Sequence, residues 1–156
     1  MNMARYSLAT YILSIKLPQD FAEQVGLGEN SIVTVGGEGS YLDSFSFSYE
    51  KDLFTTNGDA TGSWVHDKNL SRVGTCSISI HQLSDKIALF KQIMNLYYQA
   101  SNDFDGLTLD LIDSSGKNII KCEDCYFSKI PDQNFGAESD NQEWSLTCGR
   151  ITMVTE

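Results

Sequence analysis

The chain has 156 residues, with 41% hydrophobic residues, 11% aromatic residues and only 2 prolines, which suits one folded domain over 1–156 and excludes a disordered chain. The net charge of −10 is uneven: residues 101–156 carry 11 acidic against 4 basic side chains, and residues 1–100 carry 10 against 7. An acidic chain does not hold nucleic acid by neutralising phosphates, which needs Lys and Arg, and no apolar run is long enough to span a membrane.

The opening Met-Asn-Met-Ala-Arg-Tyr-Ser lacks the apolar stretch of a signal peptide. Positions 6–17 read as a strand, because Tyr11, Leu13, Ile15 and Leu17 alternate with Ile12, Ser14 and Lys16. Pro18, Gln19 and Asp20 break it. A loop with Gly26 and Gly28 leads to a short apolar strand at 32–35. Gly36-Gly37-Glu38-Gly39 reads as a turn; it lacks the Gly-Lys-Ser/Thr ending and the helix start of a phosphate loop.

Positions 41–49 have the cleanest two-residue period. Tyr41, Asp43, Phe45, Phe47 and Tyr49 share one face, and Leu42, Ser44, Ser46 and Ser48 share the other, as in a half-buried antiparallel strand. The aromatic side reads as core, with a saccharide or base-stacking platform as the functional alternative.

Positions 51–66 read as a projecting hairpin arm. Asn57-Gly58 suits a two-residue type I′ turn, since both tolerate positive φ. Phe54, Trp64 and Val65 flank the polar tip. A two-stranded hairpin is marginal alone, so the arm calls for a partner unless it is only a surface loop.

Another strand covers 72–80, with Cys76, Ile78 and Ile80 alternating with Thr75, Ser77 and Ser79. The one helix follows, over 84–99. Ser84 is its expected N-cap and Asp85 the negative charge of its first turn. Leu83, Ile87, Phe90, Ile93, Met94, Tyr97 and Tyr98 fall on one side, and Leu89 and Leu96 widen that side to roughly 200° of arc. One sheet needs only about half that width. The flank centred on Phe90 and Met94 is therefore expected to cover the chain's own sheets, leaving Leu89, Ile93 and Leu96 to meet a neighbour.

Ser101, Asn102 and Asp103 end the helix. Leu107, Leu109 and Leu111 mark the next strand, and Asp113-Ser114-Ser115-Gly116 a tight turn. A return strand runs over 117–130 to Pro131, followed by an acidic loop over 132–141. The last strand covers 143–154 and changes parity at Gly149, as a β-bulge would. The pattern is mainly β, an antiparallel two-sheet β-sandwich or barrel with one flanking α-helix.

Catalytic and metal chemistry find little support. Cys122 and Cys125 form a Cys-x-x-Cys pair, but a structural zinc site needs two further ligands and a thioredoxin-like site needs a following helix. His66 and His81 stand apart, and no nucleophile lies beside either. The expectation is a non-enzymatic protein with no cofactor and no metal.

Three segments carry a family resemblance in order: 39–54; 67–95, with Lys68-Asn69-Leu70-Ser71 leading into Gly74-Thr75-Cys76-Ser77-Ile78-Ser79-Ile80-His81; and Ile130-Pro131-Asp132-Gln133-Asn134-Phe135-Gly136 followed by Gln142-Glu143-Trp144-Ser145-Leu146. Together they resemble the tail tube proteins of contractile-tailed bacteriophages, which are similar in fold to the inner-tube proteins of R-type pyocins and type VI secretion. Two features depart from the pattern: Ser84-Asp85 stands where the family often has Ser-Pro, and Cys122 and Cys125 are not associated with it.

The resemblance implies hexameric rings that stack into a hollow conduit for genome ejection inside a contractile sheath, with baseplate and tail terminator proteins as further partners. It implies a place in the virion tail after assembly in the host bacterial cytoplasm, and DNA that passes the lumen without specific binding. Phe54, Asn57, Gly58, Trp64 and Val65 of the arm and Leu89, Ile93 and Leu96 of the helix are then the candidate inter-subunit contacts. The acid excess suits such a conduit, since an electronegative lining discourages phosphate adhesion. The alternatives are the inner tube of a tailocin or a type VI-like secretion apparatus, and a β-sandwich binding module.

Overall fold

Alternation of apolar and hydroxyl side chains dictates a sheet, and the computed structural model of the chain has one. It describes residues 6–18, 22, 32–37, 40–99, 105–113 and 115–155. Gln19 and Asp20, the loop with Gly26 and Gly28, Glu38 and Gly39, and the helix end at Ser101, Asn102 and Asp103 lie outside these residues.

A single 3₁₀ turn, Leu8–Thr10, precedes β1, Ile12–Lys16. The strand is thus shorter than its alternation predicts, because the Ser7 hydroxyl accepts the Ala9 N–H and turns the chain first. Then come β2 (Ile32–Val35), β3 (Leu42–Tyr49), β4 (Phe54–Gly58), β5 (Trp64–Lys68), β6 (Gly74–His81), the helix α1 (Ile87–Tyr98), β7 (Leu107–Ile112), β8 (Asn118–Phe127) and β9 (Asn141–Met153). Seven strands form one antiparallel sheet in the order β2-β1-β7-β8-β9-β6-β3, and β4 and β5 form a second. The large sheet does not close into a barrel: β2 and β3 remain its edges.

Two strands of the sheet change parity at the same level. On β8, Cys122 and Cys125 both face inward, with Asp124 between them at φ 56°. On β9, Cys148 and Ile151 both face inward across Gly149, as the sequence predicts. The two breaks are neighbours, since Cys125 pairs with Cys148 and Cys122 with Ile151. Gly74 of β6 lies at the same level; a Cβ there would collide with the Ser48 carbonyl and the Ile151 side chain, so only glycine lets the strands approach.

Helix α1 buries Ile87, Phe90, Ile93 and Met94 in the core. Phe90 meets Phe127 at 5.1 Å and Trp144 at 5.4 Å between ring centroids. All three rings are buried, in the offset and edge-on arrangements that aromatic quadrupoles favour. The helix starts later than its sequence predicts. Ser84 is buried and accepts the Lys86 N–H in a turn ahead of α1, while Lys86 precedes Ile87 with no side-chain cap.

Polar groups tie the 131–140 loop to this core. Trp144 Nε1 donates to Gln142, Gln142 to Gln133, and Gln133 to the Pro131 carbonyl at 2.8 Å. Gln82 and Asp140 exchange two further bonds.

Candidate assembly interface

The arm is a hairpin, but its turn is not at Asn57-Gly58. Both residues are in β4, with Asn57 opposite Val65 and Gly58 opposite Trp64. The loop lies beyond them, and Asp59 builds it. Asp59 Oδ1 accepts the Thr61 N–H at 2.9 Å, the Thr61 hydroxyl at 2.8 Å and the Ser63 N–H at 2.9 Å, and Gly62 supplies φ 91°. This wins over a two-residue turn because one carboxylate satisfies three donors that would otherwise rely on water.

The β7–β8 turn repeats the design. Asp113 Oδ1 accepts from the Ser115 N–H, the Ser115 hydroxyl and the Lys117 N–H, with Gly116 at φ 81°. The shared signal is Asp-x-Ser/Thr-Gly, at Asp59 to Gly62 and Asp113 to Gly116. In both turns these hydrogen bonds, led by the Thr61 and Ser115 hydroxyls, hold the carboxyl below the ordinary range.

Every residue of β4 and β5 is exposed. Trp64 keeps 68% of its surface in water, Val65 59% and Phe54 54%. Antiparallel register puts Trp64, His66 and Lys68 on one face with Gly58, Thr56 and Phe54. Trp64 stands across from a residue with no side chain, Thr56 bonds His66 at 2.8 Å, and Lys68 lies 5.9 Å from the Phe54 ring centroid. At the base, Tyr49, Leu53, Leu70, Arg72 and Met153 line an open groove of about 520 Å³. A two-stranded ribbon with this much uncovered apolar surface is marginal on its own.

The helix candidates divide. Leu89 and Leu96 are half-buried at the margin of the core. Ile93 is only 1% exposed and belongs to the core with Phe90 and Met94, so it is not on an outward flank. The chain's own core thus covers more of the apolar arc than the half expected of one sheet. Leu83 and Tyr98, placed on the apolar side by periodicity, stand exposed at the two ends.

The remaining sequence candidates form no chemical site. Among the described residues no three His, Cys, Asp or Glu side chains are placed to hold a metal. Cys76, Cys122, Cys125 and Cys148 are buried and reduced. Burial pushes the Cys76 thiol well up, and the sulfurs of Cys122 and Cys148, with burial, push Cys125 up, while hydrogen bonds with Cys122 and Cys125 draw Cys148 down; all four sulfurs are closed off from reagents by burial. Of the β3 aromatics, Phe45 and Phe47 pack against the core, leaving no continuous platform.

The fold is shared with chains of contractile injection assemblies. At TM-score 0.55 it matches a chain of an extracellular contractile injection system, the PVC sheath-tube complex in its extended state, with 16% identity, 97% of this chain and 93% of that one. It matches the tube-terminating cap of the anti-feeding prophage at TM-score 0.52, with 15% identity and coverage of 100% and 96%. A chain of the anti-feeding prophage baseplate matches at TM-score 0.55, with 8% identity and coverage of 99% and 97%. No curated protein sequence matches. Residues 20–155 match the family model of the bacteriophage PhiTE tail tube protein, and the chain belongs to that family. It is a structural subunit of a tail tube.

Proposed function

We propose that copies of this chain form six-membered rings, that the rings stack into the hollow tube of a contractile phage tail, and that the genome leaves through the bore. The exposed arm carries this reading. Every residue of its ribbon is exposed within its own subunit, and it presents much of Phe54, Trp64 and Val65 to water. A neighbour that covers them gains roughly 1.5–3 kcal/mol per fully buried side chain. Asn57 and Gly58 lie in the same ribbon and would share the contact, while Leu89 and Leu96 offer a second patch at the helix margin.

The partners of this reading are a sheath around the tube, a baseplate below it and a terminator above it; chains of sheath-tube, terminator and baseplate assemblies share the fold. Its location is the virion tail, after assembly in the bacterial host. A tailocin-like tube without DNA is compatible with the same likeness to injection-system chains. Sedimentation over a range of concentrations tests the proposal: mass should rise in multiples of a six-copy ring. A monomer at every concentration would remove it.

A further inference from the structure

We infer that the outward face of β3, β6 and β9 forms the wall of the bore, and that it passes a phosphate-backed polyanion because it is a carpet of neutral hydroxyls rather than of acids. The inference rests on the tube reading above. Along the edge strand, Ser44, Ser46 and Ser48 stand opposite Ser79, Ser77 and Thr75 of β6. On β9 the same rows continue into Glu143, Ser145 and Thr147.

Side chains alternate along each strand, so these residues point away from the core that takes Cys76, Ile78, Ile80, Trp144 and Leu146. The rows hold no Lys, no Arg and no apolar side chain, and Glu143 is their one charge; the exposed Arg150 of β9 lies beyond them, past the parity change at Gly149, where it pairs with Glu123. Neighbouring hydroxyls are within reach of each other, with Ser77 Oγ 3.5 Å from Ser145 Oγ.

A second feature says that this face continues beyond one copy. β3 is eight residues long, and no described strand pairs with its outer side. Solitary proteins guard such an edge with charge, Pro, a bulge or a covering segment; here a bulge and Asp43 guard only the start of the strand, and residues 44–49 hold no charge and no Pro. A strand of the next copy can therefore extend the sheet and carry the hydroxyl rows round the ring.

The charge argument names what can pass. Phosphates bind proteins by exchanging condensed counterions for Lys and Arg. The rows offer no such cation, so a polyanion gains nothing by leaving water. Hydroxyls keep a hydrated, uncharged surface, and the field of Glu143 is screened within about 8–10 Å. The chain's acid excess lies outside these rows, apart from Glu143.

The test uses tubes assembled from the full chain, duplex DNA fragments as the polyanion, and two variants. Ser44→Lys/Ser46→Lys tubes should form normally and retain several-fold more DNA than unaltered tubes, the excess vanishing between about 50 and 200 mM salt. Ser46→Cys tubes should react with a small maleimide but resist one carrying a large polymer, while the unassembled variant reacts with both; the native thiols are buried and silent. Tubes with unchanged DNA retention, or equal reaction with both reagents, would place the face outside the bore and overturn the inference. Failure of the lysine variant to assemble would make the face a subunit contact, which also overturns it. No tubes from the unaltered chain would instead remove the tube reading itself.

Discussion

Tyr49 donates its phenolic hydroxyl to the carbonyl oxygen of Ile151 at 2.9 Å, tying β3 to β9 across the strand between them. The bond crosses β6 at Gly74, which pairs with Tyr49 on one side and Cys148 on the other. It fastens the edge strand where the sheet changes parity. Tyr49→Phe should cost about 0.5–1.5 kcal/mol, the net worth of one hydrogen bond. Gly74→Ala should cost more, about 1–3 kcal/mol, because the added methyl forces β3 and Ile151 apart. Urea titration of both variants checks the order; a Gly74→Ala as stable as Tyr49→Phe would contradict the close approach.

The aromatic trio should dominate the stability of the helix-to-sheet packing. Phe90→Ala removes the ring that touches both Phe127 and Trp144, at a cost of about 3–5 kcal/mol. Leu89→Ala and Leu96→Ala, at the margin, should cost clearly less and should instead weaken association. Thermal unfolding read beside sedimentation separates the two effects; equal losses of stability at all three positions would make the margin residues ordinary core.

The Asp59 and Asp113 turns predict a shared pH response. Their carboxyls titrate lower folded than unfolded. Such a group adds stability that is present above its unfolded pKa, near 3.8, and is lost as pH falls through the lower folded value. NMR titration should show both midpoints below 3.8, with faster exchange of the Thr61 and Ser63 amides as Asp59 protonates. Midpoints at 3.8 or above would refute the clamp. Asp59→Ala should loosen the tip and leave the seven-stranded sheet intact.

The four thiols should be inert in the folded chain. All four are buried, which keeps reagents out whatever their charge, so alkylation near pH 8 should be slow natively and should reach all four cysteines after denaturation. Rapid native reaction at Cys122 or Cys125 would reopen a redox role.

Much of this architecture was legible in the residues. Period-two alternation marks β3, β6 and β7, the parity change at Gly149 marks the bend in β9, and Asp113 with Gly116 marks a turn. The misses have physical causes. Asn57-Gly58 has strong turn propensity, yet the Asp59 carboxylate offers three hydrogen bonds one residue later. Cys122 and Cys125 look like a ligand pair by spacing, yet a bulge at Asp124 explains the spacing by turning both into the core. Ile93 reads as outward from helical periodicity, which says nothing of how far a sheet covers a helix; it is buried. The hydroxyl rows needed register, since serines spaced two apart in three distant segments become a surface only when the strands are aligned.

The arm offers the sharpest separation of folding from assembly. Phe54 and Trp64 touch water in the isolated subunit, so Phe54→Ala/Trp64→Ala should leave its melting temperature nearly unchanged and shorten or abolish stacks. A large drop in melting temperature would show that the two rings belong to the subunit's own core.

The most direct measurement is electron microscopy of the purified full chain at high concentration, with end-on views averaged without imposed symmetry. The account predicts hollow six-fold rings, single and stacked into tubes. Uniform particles of single-subunit size, with no ring or tube at any concentration, would contradict it.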